Sequence, residues 1–442
     1  MLGWRTLEKG EYKLEIPNLS EQEKLLVLAS YEHVKELARV KEVKTKEEGH
    51  ALISQAITNC AVEQGFYVEK RQLENLSKIA LMHLYGFGFM EQLIEDNDIE
   101  EISIIGPEKP AYVYVRNQGW KSVNFCFEND QAIGEMINKM GKGLGRHITL
   151  QNPRLDAILP NGSRFHASLP PISKGEITIR KFRQHPFSPK ELCSVISLDG
   201  MALVSMIMQC DFNLIIAGNT ASGKTTTMNS LFSFVPANER ILITEETPEI
   251  NIPHQHQLRL VANKEMGIGL GQLIYDSLRM RPDRMIIGEV RNNEEVESLF
   301  DVMLAGQARG SYATFHAQST EEFLRRLGSF GIKREDLDCV DCVIIQRRIM
   351  EYNSQDRQSR EKRKVMEIAE IVDGKPSLFY RNEKLDLHNS KIVEKICSHF
   401  TMDKEGIKTE MEFRKKLIQN APLAYDGFFE EVQAKLYGGG HV

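Results

Sequence analysis

Gly218-Asn219-Thr220-Ala221-Ser222-Gly223-Lys224-Thr225 follows the apolar run Phe212 to Ala217 and opens an amphipathic segment, Lys224 to Phe234. A strand, a glycine loop and a helix N-terminus in that order are what a phosphate-binding loop requires. Glycines at 218 and 223 let backbone N–H groups close around phosphate oxygens, while the helix N-terminus adds partial positive charge. In that role the stretch from Gly218 to Thr225, with Thr226 behind it, binds a nucleoside triphosphate. Lys224 reaches the β- and γ-phosphates and the Thr225 hydroxyl ligates Mg²⁺.

Three further features stand where later strands end, and in an open α/β sheet such ends line the ligand crevice. Ile243-Thr244-Glu245-Glu246-Thr247-Pro248-Glu249 gathers three carboxylates after a β-like run. Like charges so close need a cation or a bound water to share them, which makes this a candidate Mg²⁺ or water-positioning site. It reads equally as a helix N-terminus decorated with acids. In Arg281-Pro282-Asp283-Arg284-Met285-Ile286-Ile287-Gly288-Glu289-Val290-Arg291 an apolar strand delivers Glu289 to its C-terminal edge. A carboxylate there binds Mg²⁺ through water or polarises the attacking water. His316 closes the short strand within Gly310-Ser311-Tyr312-Ala313-Thr314-Phe315-His316. It is suited to hydrogen-bond a γ-phosphate or a catalytic carboxylate, and the alternative is an ordinary structural histidine.

These residues need a scaffold. From Glu191 onward helical and strand-like runs alternate, which implies a mostly parallel sheet covered by helices. Its strands fall at 212–217, 240–245, 284–289, 310–315, 341–350 and 364–372. Upstream, apolar residues at three- and four-residue spacing over 20–42, 47–63 and 69–86 imply a helical unit spanning 1–85. Short β-rich runs at 102–105, 111–115, 155–159, 164–169 and 176–182, with a helix near 130–142, imply an α+β domain over 86–182. The polar segment 183–190, with Pro186 and Pro189, reads as a linker to the α/β domain over 191–442, which ends in helices. Tyr437 to Val442 reads as a frayed tail.

Bulk properties set outer limits. A chain of 442 residues is too long for one ordinary core. With 41% hydrophobic and 27% charged residues it has the composition of a soluble globular protein. No apolar run is long enough to cross a bilayer and the N-terminus lacks a signal-peptide layout, so a cytoplasmic location is expected. The seven cysteines are odd in number and dispersed, which argues against a disulfide framework. Cys339 and Cys342 form a CxxC without a second pair at zinc-ligand spacing, and read as buried or surface thiols. A net charge of −6 offers no general attraction to a polyanion, so no nucleic-acid partner is expected. The densest basic cluster, Arg357, Arg360, Lys362, Arg363 and Lys364, lies between two β-like runs and reads as a solvated hairpin tip.

Taken in order, GNTASGKT, ITEETPE, RPDRMIIGEVR and GSYATFHA resemble the four signatures of the secretion and pilus motor ATPases of type II and type IV systems. These are a Walker A loop, an acidic box, an atypical Walker B ending in Gly-Glu, and a histidine box. Asn152-Pro153-Arg154-Leu155-Asp156-Ala157, Leu159-Pro160-Asn161-Gly162-Ser163-Arg164 and Ile177-Thr178-Ile179-Arg180-Lys181-Phe182 resemble the segment leading into that family's motor core. The resemblance covers residues from near 85 to near 375. It implies a RecA-type P-loop core preceded by an α+β, PAS-like domain, ATP hydrolysis with Mg²⁺, and a homo-oligomeric ring, a hexamer. It also implies a polytopic membrane platform protein as partner, met at the inner face of the cell membrane. Lys224, Glu289 and His316 are then catalytic with Glu245 assisting, Thr225 and Glu289 serve the metal, and Arg164 and Arg180 reach toward the nucleotide phosphates. Glu245-Glu246 replaces the usual Glu-Asp, and Gln307 stands where many members carry a further histidine, leaving His316 alone. The wording GQARG resembles archaeal branches. A nucleic-acid translocase of the same superfamily and a non-hydrolysing nucleotide-responsive scaffold are the alternatives, the latter opposed by intact Lys224, Thr225 and Glu289.

Overall fold

The computed structural model describes residues 4–438 apart from 8, 16–18, 41–45, 85, 184, 264–265 and 389. The chain divides into two compact units, Met1–Arg183 and Gln184–Val442.

The first unit runs β1 (Trp4–Thr6), α1 (Glu21–Val40), α2 (Lys46–Glu63), α3 (Lys70–Leu84), α4 (Met90–Glu95), β2 (Ile99–Ile104), β3 (Pro110–Val115) and β4 (Gly119–Phe127). It continues through α5 (Asp130–Lys142), β5 (Arg154–Ile158), β6 (Arg164–Ser168) and β7 (Glu176–Arg180). Two of the helix starts have a clear local cause. Ser20 Oγ accepts the Glu23 N–H at 3.2 Å while the Glu23 carboxylate accepts the Ser20 N–H at 2.8 Å, a capping box that starts α1. Asn129 caps α5 by accepting the Ala132 N–H at 2.8 Å.

The strands form one sheet in the order β1-β4-β3-β2-β7-β6-β5, antiparallel at every pairing. Period-two burial, as at Ala111, Val113 and Val115, gives the sheet an apolar face. Val27, Val34, Ile57 and Ala80 of the helices share one core with Ile102, Val113, Ile133 and Ile177. The boundary expected at 85 is therefore corrected. Helices α1, α2 and α3 pack on one another, and the core they make is continuous with that of the sheet, so helices and sheet form one compact unit. Strand β4, absent from the sequence reading, fills the place between β1 and β3.

The second unit contains α6 (Leu198–Gln209), β8 (Leu214–Gly218), α7 (Lys224–Leu231), β9 (Ile241–Glu245), β10 (Gln257–Val261), α8 (Leu270–Ser277), β11 (Arg284–Val290), α9 (Asn293–Ala305) and β12 (Gly310–Phe315). Then come α10 (Thr320–Ser329), β13 (Cys342–Asn353), β14 (Gln358–Val372), β15 (Lys375–Arg381), β16 (Lys384–Leu385), α11 (Lys391–Phe400), α12 (Lys404–Asn420) and α13 (Tyr425–Tyr437). The nine strands lie in the order β10-β9-β11-β12-β8-β13-β14-β15-β16. Pairing is parallel from β10 to β13 and antiparallel beyond.

All five residues of β8 and of β9 are buried, as continuous apolar strands covered on both faces should be. Alternate residues feed two cores. Leu214, Ile216, Ile241 and Ile243 enter one with α6, and Ile215, Ala217, Leu242 and Phe315 enter the other with α9.

The linker expected over 183–190 is shorter than its composition suggests. Ser188 is buried, its N–H donates to the Glu191 carboxylate at 2.8 Å, and Lys190 Nζ donates to Ala421 O at 2.8 Å. Of the expected tail, Tyr437 closes α13, and residues 439–442 lie outside the described residues. Burial pushes the Cys339 thiol up to about 12 and that of Cys342 well above its ordinary range, which favours the neutral thiol over the thiolate at both. Among the described residues no helix is long and apolar enough to cross a membrane.

Where the parallel strands begin, Arg284 is 1% exposed; its Nε donates to Glu239 at 2.6 Å and its Nη1 to Tyr312 Oη at 2.8 Å. Arg284→Ala strands the buried Glu239 carboxylate with only Arg309, 2.9 Å away, as partner. The expected loss is about 3 kcal/mol, read as a lowered urea midpoint. An unchanged midpoint would contradict this account of the strand-start network.

Candidate functional site

Strand β8 ends at Gly218 and α7 begins at Lys224, so the loop between them is five residues long. Ala221 at φ 58° and Gly223 at φ 93° are both left-handed, the backbone geometry from which anion nests are built, and the Ser222 N–H closes a turn onto Asn219 O at 3.2 Å. A left-handed alanine costs about 1 kcal/mol, so the surrounding contacts must hold it. A Cβ on Gly218 would meet the Gln346 carbonyl oxygen at 2.0 Å, so only glycine lets β13 approach here. Gly223 is the N-cap of α7 and offers no side-chain acceptor of its own to the helix start. Lys224 is 8% exposed, with Nζ 3.4 Å from Gly218 O and 3.8 Å from Glu289 Oε1.

Because β8, β9, β11 and β12 are parallel, their C-terminal ends share one edge. The register between β11 and β12 shifts between Ile287 and Glu289, a bulge at Gly288 whose carbonyl accepts from Thr314 Oγ1 at 2.6 Å. Such an extra residue re-aims the side chain that follows it, here Glu289. His316 Nε2 lies 2.5 Å from Glu289 Oε1, and Arg291 Nε donates to Oε2 at 2.8 Å. Burial alone would push the Glu289 carboxyl up, but the bonds from His316 and Arg291 outweigh it and hold the carboxyl at about 2. Arg291 Nη1 also reaches Glu246 Oε2 at 2.9 Å.

The three carboxylates of the acidic stretch have separate tasks, and no helix starts there, which corrects the helix-terminus alternative. Glu245 is 1% exposed and accepts the N–H groups of Glu249 and Ile250, each at 2.8 Å, with Arg259 Nε at 3.4 Å from its other oxygen. It organises its own loop. Glu249 is the acid that reaches the phosphate loop, accepting from Thr225 Oγ1 at 3.2 Å. Glu246 braces Arg291.

The family described as type II/IV secretion system protein matches residues 84–415. This chain belongs to that family. It is 28% identical to an uncharacterized protein of Methanocaldococcus jannaschii, MJ0900, which covers 94% of this chain and 80% of the relative. Identity is also 28% to the type IV secretion system protein VirB11 of Bartonella quintana, over 51% of this chain and 74% of that one. Among solved structures, the ATPase DotB of Legionella pneumophila is similar at 16% identity and a TM-score of 0.49, covering 79% of this chain and 91% of that chain.

In this secretion-family chain Lys224, Thr225, Glu289 and His316 come together at one sheet edge, as their strand-terminal positions predict. Glu245 is drawn away into its loop. Arg164 and Arg180 are register partners across β6 and β7 in the first unit, with Glu101 opposite Arg180 on β2. Gln307 lies in the exposed turn leading into β12, at the sheet edge opposite Gly218, so the histidine missing there leaves the Glu289–His316 pair intact. Sequence reasoning missed Arg291 and Gln346, and had Glu249 only as one of three equivalent carboxylates in a candidate Mg²⁺ or water-positioning stretch. The spacing of Glu249 from Glu245 held a clue, since a carboxylate at a strand end followed by Thr-Pro can accept N–H groups from the turn beyond it.

Burial raises the Glu245 carboxyl from 4.5 to about 6, against the two N–H bonds that favour its charge. The folded chain therefore takes up a proton there more readily than the unfolded one. Its ionisation destabilises the fold by on the order of 2 kcal/mol above pH 6, and this is relieved as pH falls through 6 toward 4.5. Urea unfolding across pH 7.5 to 4.5 should show the wild type gaining about that much relative to Glu245→Gln. A difference that stays flat with pH would show that Glu245 titrates normally.

Proposed function

We propose that this chain is an ATPase motor acting as a hexameric ring. It hydrolyses ATP with Mg²⁺ to power secretion, or assembly of a pilus-like or archaellum-like filament, through a polytopic platform protein at the cytoplasmic face of the membrane. In this reading the second unit is a RecA-type motor core and the first a PAS-like module. The observation that carries it is the Glu289 carboxylate held between Lys224 and His316 beside a left-handed phosphate loop.

The residues divide the work by chemistry. N–H groups of the nest and of the first turn of α7 hold phosphate oxygens, and the buried Lys224 ammonium spreads the charge of the terminal phosphates. Glu289 is ionised at any physiological pH and accepts a hydrogen bond from the attacking water, fixing it in line. So low a pKa makes it a weak base while Arg291 holds it. Its base strength rises if Arg291 releases Oε2 while keeping its bond to Glu246. His316 keeps the carboxylate oriented from the next strand. Thr225 Oγ1 and the Glu249 carboxylate beside it are hard-oxygen donors of the kind that suits Mg²⁺, and Glu289 is assigned to serve the ion with them. The bound ion would supply Lewis-acid stabilisation of the phosphoryl oxygens. Arg164 and Arg180 are assigned to neutralising charge that develops on the transferred group.

Lys224→Ala is expected to abolish Mg²⁺-dependent phosphate release. Glu289→Gln should keep ATP binding but lose roughly 10²-fold to 10⁴-fold in turnover. Wild-type turnover by the lysine variant would remove the assignment, and hydrolysis stimulated by DNA in a salt-sensitive manner would favour a nucleic-acid translocase instead.

A further inference from the structure

A loop that turns its N–H groups inward toward an anion turns carbonyls outward, and each carbonyl needs a donor. In this loop two successive carbonyls take side-chain donors from the adjacent strands β13 and β14. Arg363 Nε donates to Ala221 O at 3.1 Å, and Gln346 Nε2 donates to Ser222 O at 2.7 Å. Asn219 grips the backbone of Arg348 at two points: its Nδ2 donates to Arg348 O at 3.0 Å and its Oδ1 accepts the Arg348 N–H at 2.8 Å. Gln346 is 1% exposed, and its Oε1 accepts from Thr227 Oγ1 in the first turn of α7 at 2.7 Å. One buried amide thus joins the loop to the helix it opens.

Gln346 is also where β13 leaves the main layer. Its pairing with β8 ends at Gln346 opposite Gly218, and from Arg347 to Asn353 it pairs only with β14. The result is a two-stranded ribbon that carries the basic cluster read from the sequence and exposes Met350 and Tyr352, at 64% and 62%. Its basic side chains are interleaved with acids, as in Lys362 with Glu351 and Arg360 with Asp356.

We propose that Gln346 and Arg363 are positioning residues of the phosphate loop, fixing the Ala221–Ser222 carbonyls so that the N–H groups face the phosphates, and that the ribbon is thereby coupled to nucleotide occupancy. This rests on the reading that the loop binds ATP. Both residues act through loop carbonyls. Arg363 acts on the left-handed residue Ala221, whose conformation needs an outside hold, and Gln346 acts on the peptide that follows it. Substrate that settles into the nest pulls on both carbonyls, and the pull is felt along β13 and β14.

A fluorescent ATP analogue titrated into the full chain tests this. Gln346→Ala and Arg363→Ala should each weaken binding about fivefold to tenfold, the worth of one hydrogen bond. Gln346→Glu keeps the shape and still accepts from Thr227 but cannot donate to the Ser222 carbonyl, so it should bind no better than Gln346→Ala; a packing role would restore it. Arg360→Ala removes the same charge from the ribbon yet, among the described residues, Arg360 makes polar contacts with Asp356 and Gln358 alone, so the variant should bind like wild type. Hydrogen exchange over 347–363 should slow on ATP addition in the wild type and not in Arg363→Ala. Wild-type affinity in both alanine variants, or equal losses in the Arg360 and Arg363 variants, would overturn the proposal. Should the Gln346 variants melt early, the surface variant Arg363→Ala decides alone. A wild-type chain that binds no ATP would instead overturn the reading of the loop itself.

Discussion

One half-buried negative charge makes the site a unit. Glu289 sits where burial opposes ionisation, and it stays ionised because His316, Arg291 and Lys224 arrive from a neighbouring strand, its own strand end and the phosphate loop. Each partner depends on it in turn. The Lys224 ammonium is nearly buried and needs a counter-charge before any phosphate arrives, and the His316 ring is aimed by the carboxylate it meets. Parallel alignment brings the strand ends to one edge, but only the bulge at Gly288 turns the carboxylate toward that meeting point. An unbulged strand would carry the same sequence of residue types with Glu289 directed elsewhere.

The parts of this arrangement that follow from strand ends were legible in the sequence. Lys224, Thr225, Glu289 and His316 each terminate or follow an apolar run, and in a parallel sheet that is enough to place them together. The acidic stretch was not legible in the same way. Glu245, Glu246 and Glu249 have one chemistry and differ only in how a non-helical turn directs them, so their separate roles appear only with the backbone. Gln346 escaped notice because a lone amide after an apolar run carries no charge and matches no catalytic pattern, although its register partner is Gly218. In the first unit, periodicity gave the helices and most strands. It could not show that the helices share a core with the sheet, because an apolar stripe does not name what covers it. Strand β4 was hidden because Lys121 falls on its apolar face and Trp120 on the other, while its pairing to strands on both sides secures it.

Stability and chemistry are kept at opposite edges of the parallel layer. At the strand starts Arg284, Glu239 and Tyr312 form a buried network that nothing in the chemistry requires. At the strand ends charged groups are left with incomplete or exchangeable partners. Arg291, for example, divides its guanidinium between Glu289 and Glu246. A network fully satisfied at one edge allows the other to hold strained and shared groups, since the cost of a left-handed Ala221 or an ionised Glu289 is small beside the burial on both faces.

Such a layer is a poor transmitter of motion. The strands from β9 to β8 are buried on both faces and cannot slide without opening a core on either side. A change at the phosphate loop must therefore travel through whatever is bonded to the loop and lies outside the layer. Strands β13 and β14 satisfy both conditions: they meet the loop at Asn219, Ala221 and Ser222, and they continue past the last residue that β8 can pair. In an otherwise rigid sheet the ribbon is the element where the grip on a phosphate and the freedom to move coincide.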